Sequence, residues 1–583
     1  MPQNGNKIYL ILLVILINCS LQAQYVLNKQ YIQCSAQARD IIEKTHEKPY
    51  YASITQARQH INKIIYSLHQ AQYISAVSDS IWISNDTIYA LIFVGPCMKI
   101  QNTEIRCIDC DNNDFQLFNY NKKHNNPADV NELAAASTQI LSFLENHGYP
   151  FAEVKIAQIL PDENGGKAVM EIKKNNFILF DSIITEGNVK LHQSFLYGYL
   201  GIKRKKAYNA SVVNKVNDKL QNLNYLQLTR NPGVSFSQDK AALYIFAEKK
   251  KVNQFEGYLG LVPSDEISGK VLVTGNINLN LNNIFGIGEH LLLSWKRTQV
   301  QSQLLDIAVD FPYLFYTALS VDASFNMEKK DTQYLNLYAE AGLRYYLLSN
   351  GYIKVYYAFQ NSRLTHNESL KTLTVLPGII DYNMHWYGFS FNVKHLDYIY
   401  NPHKGYQIDV NLAAGNKKII KNAMIEPSLY NGIADKTVQL KAGIAADFYF
   451  PMGKRWTWVL MCKAAHLQAG SLYENELLQI GGLNTLRGFD HHSILASTYV
   501  ILSNEVRFSF AKQSYLQAFF DAAGYEKKHT GNYVSDFPFG FGLGIAFNTK
   551  AGIFSLSYAL GKQRNNPIKF ATGKINFGYS ALF

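Results

Sequence analysis

Beyond its first 23 residues the chain lacks any run approaching the ~18 consecutive apolar residues that a membrane-spanning helix needs. A polypeptide of this kind enters a membrane only as a closed β-barrel, because every backbone N–H and C=O must be paired inside the bilayer. Catalytic signatures are also missing: there is no G-x-S-x-G elbow, no phosphate-binding loop and no H-E-x-x-H. No enzymatic activity, cofactor or metal is therefore expected. Cysteine is scarce, at 6 in 583 residues. Cys107 and Cys110 form a lone C-x-x-C without a second pair or a histidine at zinc-finger spacing, which argues against a structural metal. With Cys34, Cys97 and Cys462 the remaining count is odd, so a disulfide among Cys97, Cys107 and Cys110 stays open. The adjacent pair His491-His492 reads as polar loop surface.

The single apolar run, Ile8 to Ile17, follows Lys7 and precedes Leu21-Gln22-Ala23, the layout of a secretory signal peptide over residues 1–23. Asn18 disfavours lipidation at Cys19. The formal net charge of +11 suits an anionic partner such as outer-membrane lipid. Lys203 to Lys206 and Lys249 to Lys251 read as solvated faces, and an exported chain meets no nucleic acid.

Aromatic residues are abundant, 13% of the chain with 39 Tyr and 33 Phe, yet mean hydropathy is only −0.13. Apolar side chains are thus interleaved with polar ones, the composition of alternating membrane strands. The first half is organised differently. Ile54, Ile61, Ile64, Ile65 and Leu68 fall near helical period, and two β-rich runs follow, 74–83 and 87–94, around an Asn85-Asp86 turn. A second cycle reads as strand 98–107, helix 127–146, then strands 152–160 and 168–172 around the turn 161–166. A third reads as strand 177–185, helices 193–200 and 210–223, and strands 225–236 and 242–247. Three cycles of about 75 residues indicate repeated α+β modules, with boundaries at 24–97, 98–174 and 175–251. Open strand edges in such modules suit the binding of extended chains.

From residue 252 to 583 period-two alternation takes over. In the last strand Ile575, Phe577, Tyr579, Ala581 and Phe583 share one face, while Lys574, Asn576, Gly578 and Ser580 share the other. At roughly 20 residues per strand and connection this stretch accommodates about sixteen strands. A soluble sandwich also alternates, but does not account for a chain ending on an aromatic at the end of its last strand. The expected fold is a set of α+β repeats followed by an all-β, sixteen-stranded antiparallel transmembrane barrel.

Several passages carry a resemblance. FDSIITEGN (Phe180 to Asn188), the helices after it and the ALYIFAEKKK ending resemble a POTRA domain, the periplasmic module of the barrel-assembly superfamily that includes BamA and TamA. ENHGYPFAEVKI (Glu145 to Ile156) is similar to the helix-to-strand passage of these modules; the first cycle is a degenerate match. NNIFGIGEHLLLSW (Asn282 to Trp295), DFPYLF (Asp310 to Phe315), HLDYIYNPHKGY (His395 to Tyr406), GGLNTLRGFD (Gly481 to Asp490), NEVRFSF (Asn504 to Phe510) and AFFDAAGY (Ala518 to Tyr525) resemble that superfamily's barrel, in order. Three modules before the barrel are closest in layout to TamA.

The resemblance implies that Arg487 of the Arg487-Gly488-Phe489 motif reaches into the lumen on a folded-in loop and pairs with acidic residues, here Glu505 and Asp521. Alternation supports this independently, since Glu505 shares a face with Ser503, Arg507 and Ser509, and Asp521 with Gln517. One guanidinium fork can serve two carboxylates. The resemblance also implies that Asn576, Gly578 and Phe583 form an insertion signal, with Ala581 departing from the usual aromatic, and that a weak pairing of 253–261 with 574–583 forms a lateral seam. The implied function is assembly or translocation of unfolded client proteins at the Gram-negative outer membrane, with the modules in the periplasm. The resemblance favours an inner-membrane-anchored partner spanning the periplasm. Rival readings are a passive channel, a two-partner-secretion-type transporter and a secreted structural protein.

Overall fold

The computed structural model of the chain describes residues 25–45, 50–98, 100–110, 130–162, 165–263, 271–297, 302–331, 333–347, 351–365, 368–398, 401–511, 513–529, 532–549, 552–564, 568, 570 and 573–582. The expected signal peptide and Phe583 lie outside these residues. Two compact units emerge, one up to Phe180 with 205–213 and 236–241, the other of 181–204, 214–235 and 242–583.

The first unit holds two small α/β sheets. Strands β1 (Val26–Ile32), β2 (Val77–Ser84) and β3 (Thr87–Phe93) pair in the order β1-β3-β2, with β1 parallel to β3. Helix Ile54–Gln70 is capped by Ser53 Oγ on the Gln56 amide, and its spacing buries Ala57, Ile61, Ile64 and Leu68 beside Ile88 and Ile92. β1 and the helix Ala36–Glu43 went unread in the sequence, because VLNKQYI has no clean period of two. With them the first module gains the leading strand and helix that its reading lacked. β4 (Ile100–Cys107), β5 (Glu153–Asp162) and β6 (Gly165–Lys173) pair as β4-β6-β5 under helix Val130–Asn146, which buries Leu133, Ala136, Ile140 and Leu144 against Met170 and Ile172. Cys107 and Cys110 are joined as a disulfide. Beside it the Asp109 carboxylate accepts from the amides of Lys174 at 2.8 Å and Asn175 at 2.9 Å.

β7 (Leu179–Glu186), β8 (Leu226–Leu228), β9 (Gly233–Ser237) and β10 (Lys240–Lys249) form a sheet in the order β7-β10-β8, with β9 on β10. The helix expected over 210–223 is two short ones, Ala210–Asn214 and Val216–Gln221, and the strand expected over 225–236 is two. Pro232, which has no N–H to donate, stands in that second break.

The remainder closes into an antiparallel barrel. Its strands are β11 (Gln254–Pro263), β12 (Val271–Asn282), β13 (His290–Arg297), β14 (Gln303–Leu314), β15 (Leu319–Lys330), β16 (Tyr334–Leu347), β17 (Gly351–Leu364) and β18 (Tyr382–Leu396). They continue as β19 (Gly405–Ile419), β20 (Lys436–Pro451), β21 (Trp456–Ala469), β24 (Thr498–Ala511), β25 (Ser514–His529), β26 (Asn532–Asp536), β27 (Phe539–Asn548), β28 (Gly552–Lys562) and β29 (Lys574–Leu582). β22 (Leu478–Ile480) and β23 (Ile494–Ala496) are a separate hairpin in the connection between β21 and β24. β26 and β27 both pair with β25 and are one strand interrupted at Phe537-Pro538, so the hoop has sixteen strands. No described helix is long and apolar enough to cross a membrane.

Alternation decides which face each side chain meets. In β16, Leu343 and Tyr345 point outward, 55% and 53% exposed, while Arg344 between them points inward to Asp310 at 2.6 Å and Asp322 at 3.1 Å. At the near end, where β11 begins and β29 ends, aromatic rings bind the helix Gln193–Leu200 to barrel turns. Phe195 and Tyr199 meet Tyr313 edge-on, with ring centroids at 5.8 and 5.3 Å, and the His192 amide donates to Gly286 O at 2.6 Å. At the far end, Ile380, Ile425, Tyr430, Leu472, Tyr473 and Leu477 come from three loops and pack on Tyr382 and Trp386 as an apolar cluster.

Candidate functional site

The connection between β21 and β24 folds inward and is fixed at its tip and at its base. At the tip, the turn before Arg487 requires Gly481 and Gly482, both at positive φ (113° and 97°). Ile480, Leu486, Ile494 and Ala496 bury themselves against Ile501, Ala523 and Tyr525, with Phe489 packed beside them. This apolar seat aims Arg487 at the two acids selected by alternation. Its Nη1 donates to Glu505 Oε2 at 2.8 Å, its Nη2 to Asp521 Oδ1 at 2.6 Å and its Nε to Asp521 Oδ2 at 2.8 Å. The Arg487 backbone N–H adds a fourth bond to Asp521 Oδ2 at 3.1 Å, and the guanidinium lies 3.7 Å from the centroid of the Phe519 ring.

Arg507, used in the sequence only to mark the lumen face, donates from Nε to the free oxygen of Glu505, Oε1, at 2.5 Å. The cluster therefore holds two cations and two anions and is neutral as a whole. It is also dry: side-chain exposure is 9% for Arg487, 2% for Glu505 and 0% for Asp521. A pair buried to this degree is costly to break, since removing one partner strands a desolvated charge.

Gly488 adopts φ +93°, and the tip then runs along a track of glycines. A Cβ on Gly540 of β27 would lie 1.9 Å from Arg487 O, and one on Gly561 of β28 would lie 2.6 Å from Gly488 O. Two residues further, Asp490 pairs with Lys574, the first residue of β29, at 2.7 Å. The loop tip thus touches β24, β25, β27, β28 and β29 in turn. The His491 and His492 rings lie with centroids 3.7 Å apart, tilted by 31°, and belong to no metal-holding group among the described residues.

The base of the loop has its own anchor, which sequence reasoning missed. Asn475 donates to Ser362 Oγ at 2.7 Å and Ile380 O at 2.8 Å. Glu476 pairs with Lys417 of β19 at 2.8 Å and accepts from Gln439 of β20 at 2.6 Å. The Lys417 and Glu476 side chains are 0% and 2% exposed. A lysine on an inward-facing strand position demands an acid, and that demand was the available signal.

The seam between the first and last strands is the other distinctive feature. β11 and β29 share two register pairs, Gln254 with Leu582 and Phe255 with Ala581, whereas β28 and β29 share eight. Lys574 to Ser580 on β29 and Glu256 to Pro263 on β11 have no partner across the seam among the described residues. Asn576 and Gly578 of the expected insertion signal lie in this open stretch, between the outward Ile575, Phe577 and Tyr579, which are 71%, 70% and 39% exposed.

Residues 283–583 match the model of the Omp85 superfamily domain, just over half of the chain. The chain belongs to the Omp85 superfamily. Members of this superfamily are non-enzymatic proteins that mediate protein insertion or secretion at the Gram-negative outer membrane. In structure this Omp85 chain is similar to CdiB from Escherichia coli, at 14% identity and a TM-score of 0.54 over 95% of this chain and 100% of that one. It is similar to CdiB from Acinetobacter baumannii at 13% identity and a TM-score of 0.53, again over 95% and 100%. BamA from Haemophilus ducreyi lacking POTRA domains 1–3 matches at 17% identity and a TM-score of 0.44, over 83% and 100%. No curated protein sequence matches the chain. The likeness to the two CdiB structures shows the fold, and in this Omp85 barrel the inward Arg-Gly-Phe loop lies beside the seam.

Proposed function

We propose that this protein inserts or exports client proteins through a lateral opening between β11 and β29, with its near end and three POTRA-like modules (24–97, 98–174 and 175–251) in the periplasm. The observation that carries the reading is the two-residue seam in a hoop whose other strands are laddered along most of their length. Unpaired strand edges are templates for another chain, and an incoming client strand adds to such an edge by backbone hydrogen bonding with little demand on its sequence. Arg487-Gly488-Phe489 holds the strands beside the seam from within, and Asn576, Gly578 and Phe583 act as this barrel's own insertion signal. The packing of three far-end loops on inward side chains and the buried Lys417–Glu476 pair favour a pathway that opens on demand over a steadily open channel.

The test is a disulfide across the seam, with Gln254→Cys and Leu582→Cys placed on register partners. Oxidation should stop client delivery to the outer membrane and reduction should restore it; full delivery with the seam locked would sink the model. Depleting the protein in its host and quantifying surface and outer-membrane proteins then separates insertion from secretion. Broad loss of β-barrels means insertion, loss of one secreted partner with barrels intact means secretion, and an unchanged proteome with altered solute uptake means a channel.

A further inference from the structure

The charges of β14–β21 are sorted by face. All seven acids of these strands, Asp306, Asp310, Asp322, Glu328, Glu340, Asp409 and Asp447, lie on lumen-facing positions. Most of them are engaged there: Asp310 with Arg344 and Ser320, Asp322 and Glu340 with Lys354, Asp409 with Asn392. The Lys and Arg residues on the outward face of the same strands are Lys329, Arg363, Lys418 and Lys436, all within two residues of the far end. The outward positions at the near end are neutral and include Tyr345, Tyr406, Phe450 and Trp456.

Three of the far-end cations converge. Lys418 is the register partner of Asn383 on one side and of Lys436 on the other. Asn383 accepts from Arg363 Nη2 at 2.8 Å, and the Arg363 Nη1 donates to the carbonyls of Ser362 at 2.7 Å and Tyr382 at 2.9 Å. Among the described residues no carboxylate is ion-paired with Lys329, Arg363, Lys418 or Lys436. The nearest acids by sequence, Asp331 and Asp435, belong to the loops. Two lysines directly opposite one another across a ladder repel, and an anion placed between them removes that penalty through charge-assisted hydrogen bonds. Immediately toward the near end, on the same strands, the outward surface becomes a groove of about 740 Å³ walled by Tyr387, Leu412 and Leu440, with small Ala414 and Ala442 among its lining.

We propose that this rim is a binding site for an outer-leaflet glycolipid, whose phosphate bridges Lys418 and Lys436 beside Arg363 while its acyl chains lie along the groove. A phosphate at that height with chains below it matches a headgroup anchored in the leaflet; a free anion would leave the groove unused. The orientation rests on the reading given under Proposed function, but the site makes no use of the seam.

The test uses the full-length protein in phosphatidylethanolamine vesicles doped with diphosphoryl lipid A, extracted into mild detergent, with retained lipid measured by mass spectrometry. Wild type should retain lipid A in preference to phosphatidylethanolamine. Each cation near a charged lipid surface changes affinity by about fivefold, so Lys418→Gln with Lys436→Gln should lower retention by about 25-fold. Arg363→Gln should lower it further. Lys418→Arg with Lys436→Arg should keep it, as should Lys454→Gln with Arg455→Gln at the near end. Lipid A stripped of phosphate should be retained no better than phosphatidylethanolamine. Equal retention by wild type and the double glutamine variant, indifference to the phosphate, or complete displacement by inorganic phosphate overturns the proposal. Folding of each variant is read from gel mobility without heating, and single Lys436→Gln serves if the double variant fails it. Because lipid is measured here and client delivery in the seam assay, the two readings fail separately.

Discussion

Fifteen residue pairs join β18 to β19 and fourteen join β19 to β20, whereas two join β11 to β29. The same chain therefore builds a wall that is laddered along its whole length and, elsewhere in one hoop, a join that is barely made. The difference is not a matter of strand propensity. Both regions alternate cleanly, and β29 has a full partner in β28. What differs is what stands on the lumen side. Behind the laddered strands, Arg344 of β16 and Lys354 of β17 tie inward acids of β14 to β16, and Lys417 of β19 ties the base of the inward loop. Behind the seam the link that reaches β29 is the exposed pair of Asp490 with Lys574, 73% and 38% exposed, which is worth little in water.

That comparison can be broken in graded ways. The largest effect should come from covalent locking: Gln254→Cys with Leu582→Cys should abolish client delivery. A wall lock, Ser390→Cys with Asn411→Cys, which are also register partners, should leave it intact. Arg487→Ala should come next. It strands Asp521 and leaves Glu505 with Arg507 alone, and because the cluster is dry the loss should be about 3 to 5 kcal/mol in denaturant unfolding of the detergent-solubilised barrel. Adding Asp521→Asn, which leaves Glu505 paired with Arg507, should recover much of that stability without restoring delivery. Lys417→Met should cost a similar ~3 kcal/mol or more by leaving Glu476 unpaired, yet it loosens the loop base behind the wall, so delivery should fall far less than in Arg487→Ala. Equal functional loss would mean the loop acts as one rigid piece. The smallest change is expected from Tyr313→Ala, which removes ring contacts with Phe195 and Tyr199 worth about 0.5 to 1.5 kcal/mol each. Hydrogen exchange should rise in the 193–200 helix while the seam remains unaffected.

How much of this was legible in the residues follows from range and period. Alternation over β24 and β25 put Glu505 and Asp521 on the lumen face, and the Arg-Gly-Phe motif named their cation, so the tip of the loop could be assembled on paper. Its base could not, because Lys417 and Glu476 are 59 residues apart and no motif links them. Arg507 was read for direction alone; its role depends on Glu505 having one oxygen left after Arg487 has taken the other. β1 escaped because its apolar residues do not alternate, its order coming from β3 beside it. The extent of the seam was beyond alternation altogether, since register between the first and last strands is set by closure of the whole hoop.

The inward loop precedes in the chain every strand on which its tip is seated. Arg487 reaches Glu505 across 18 residues and Asp521 across 34, while β11 and β29 meet only after the entire barrel has been traversed. Contacts of short sequence separation form ahead of those that close long loops. That ordering predicts the loop as a mandrel in biogenesis, in place inside an open half-pipe before the final strands are laid against it from Glu505 onward and the junction with the first strand is made last. The join proposed to part in use is thus the one with the longest separation along the barrel, between β11 and β29.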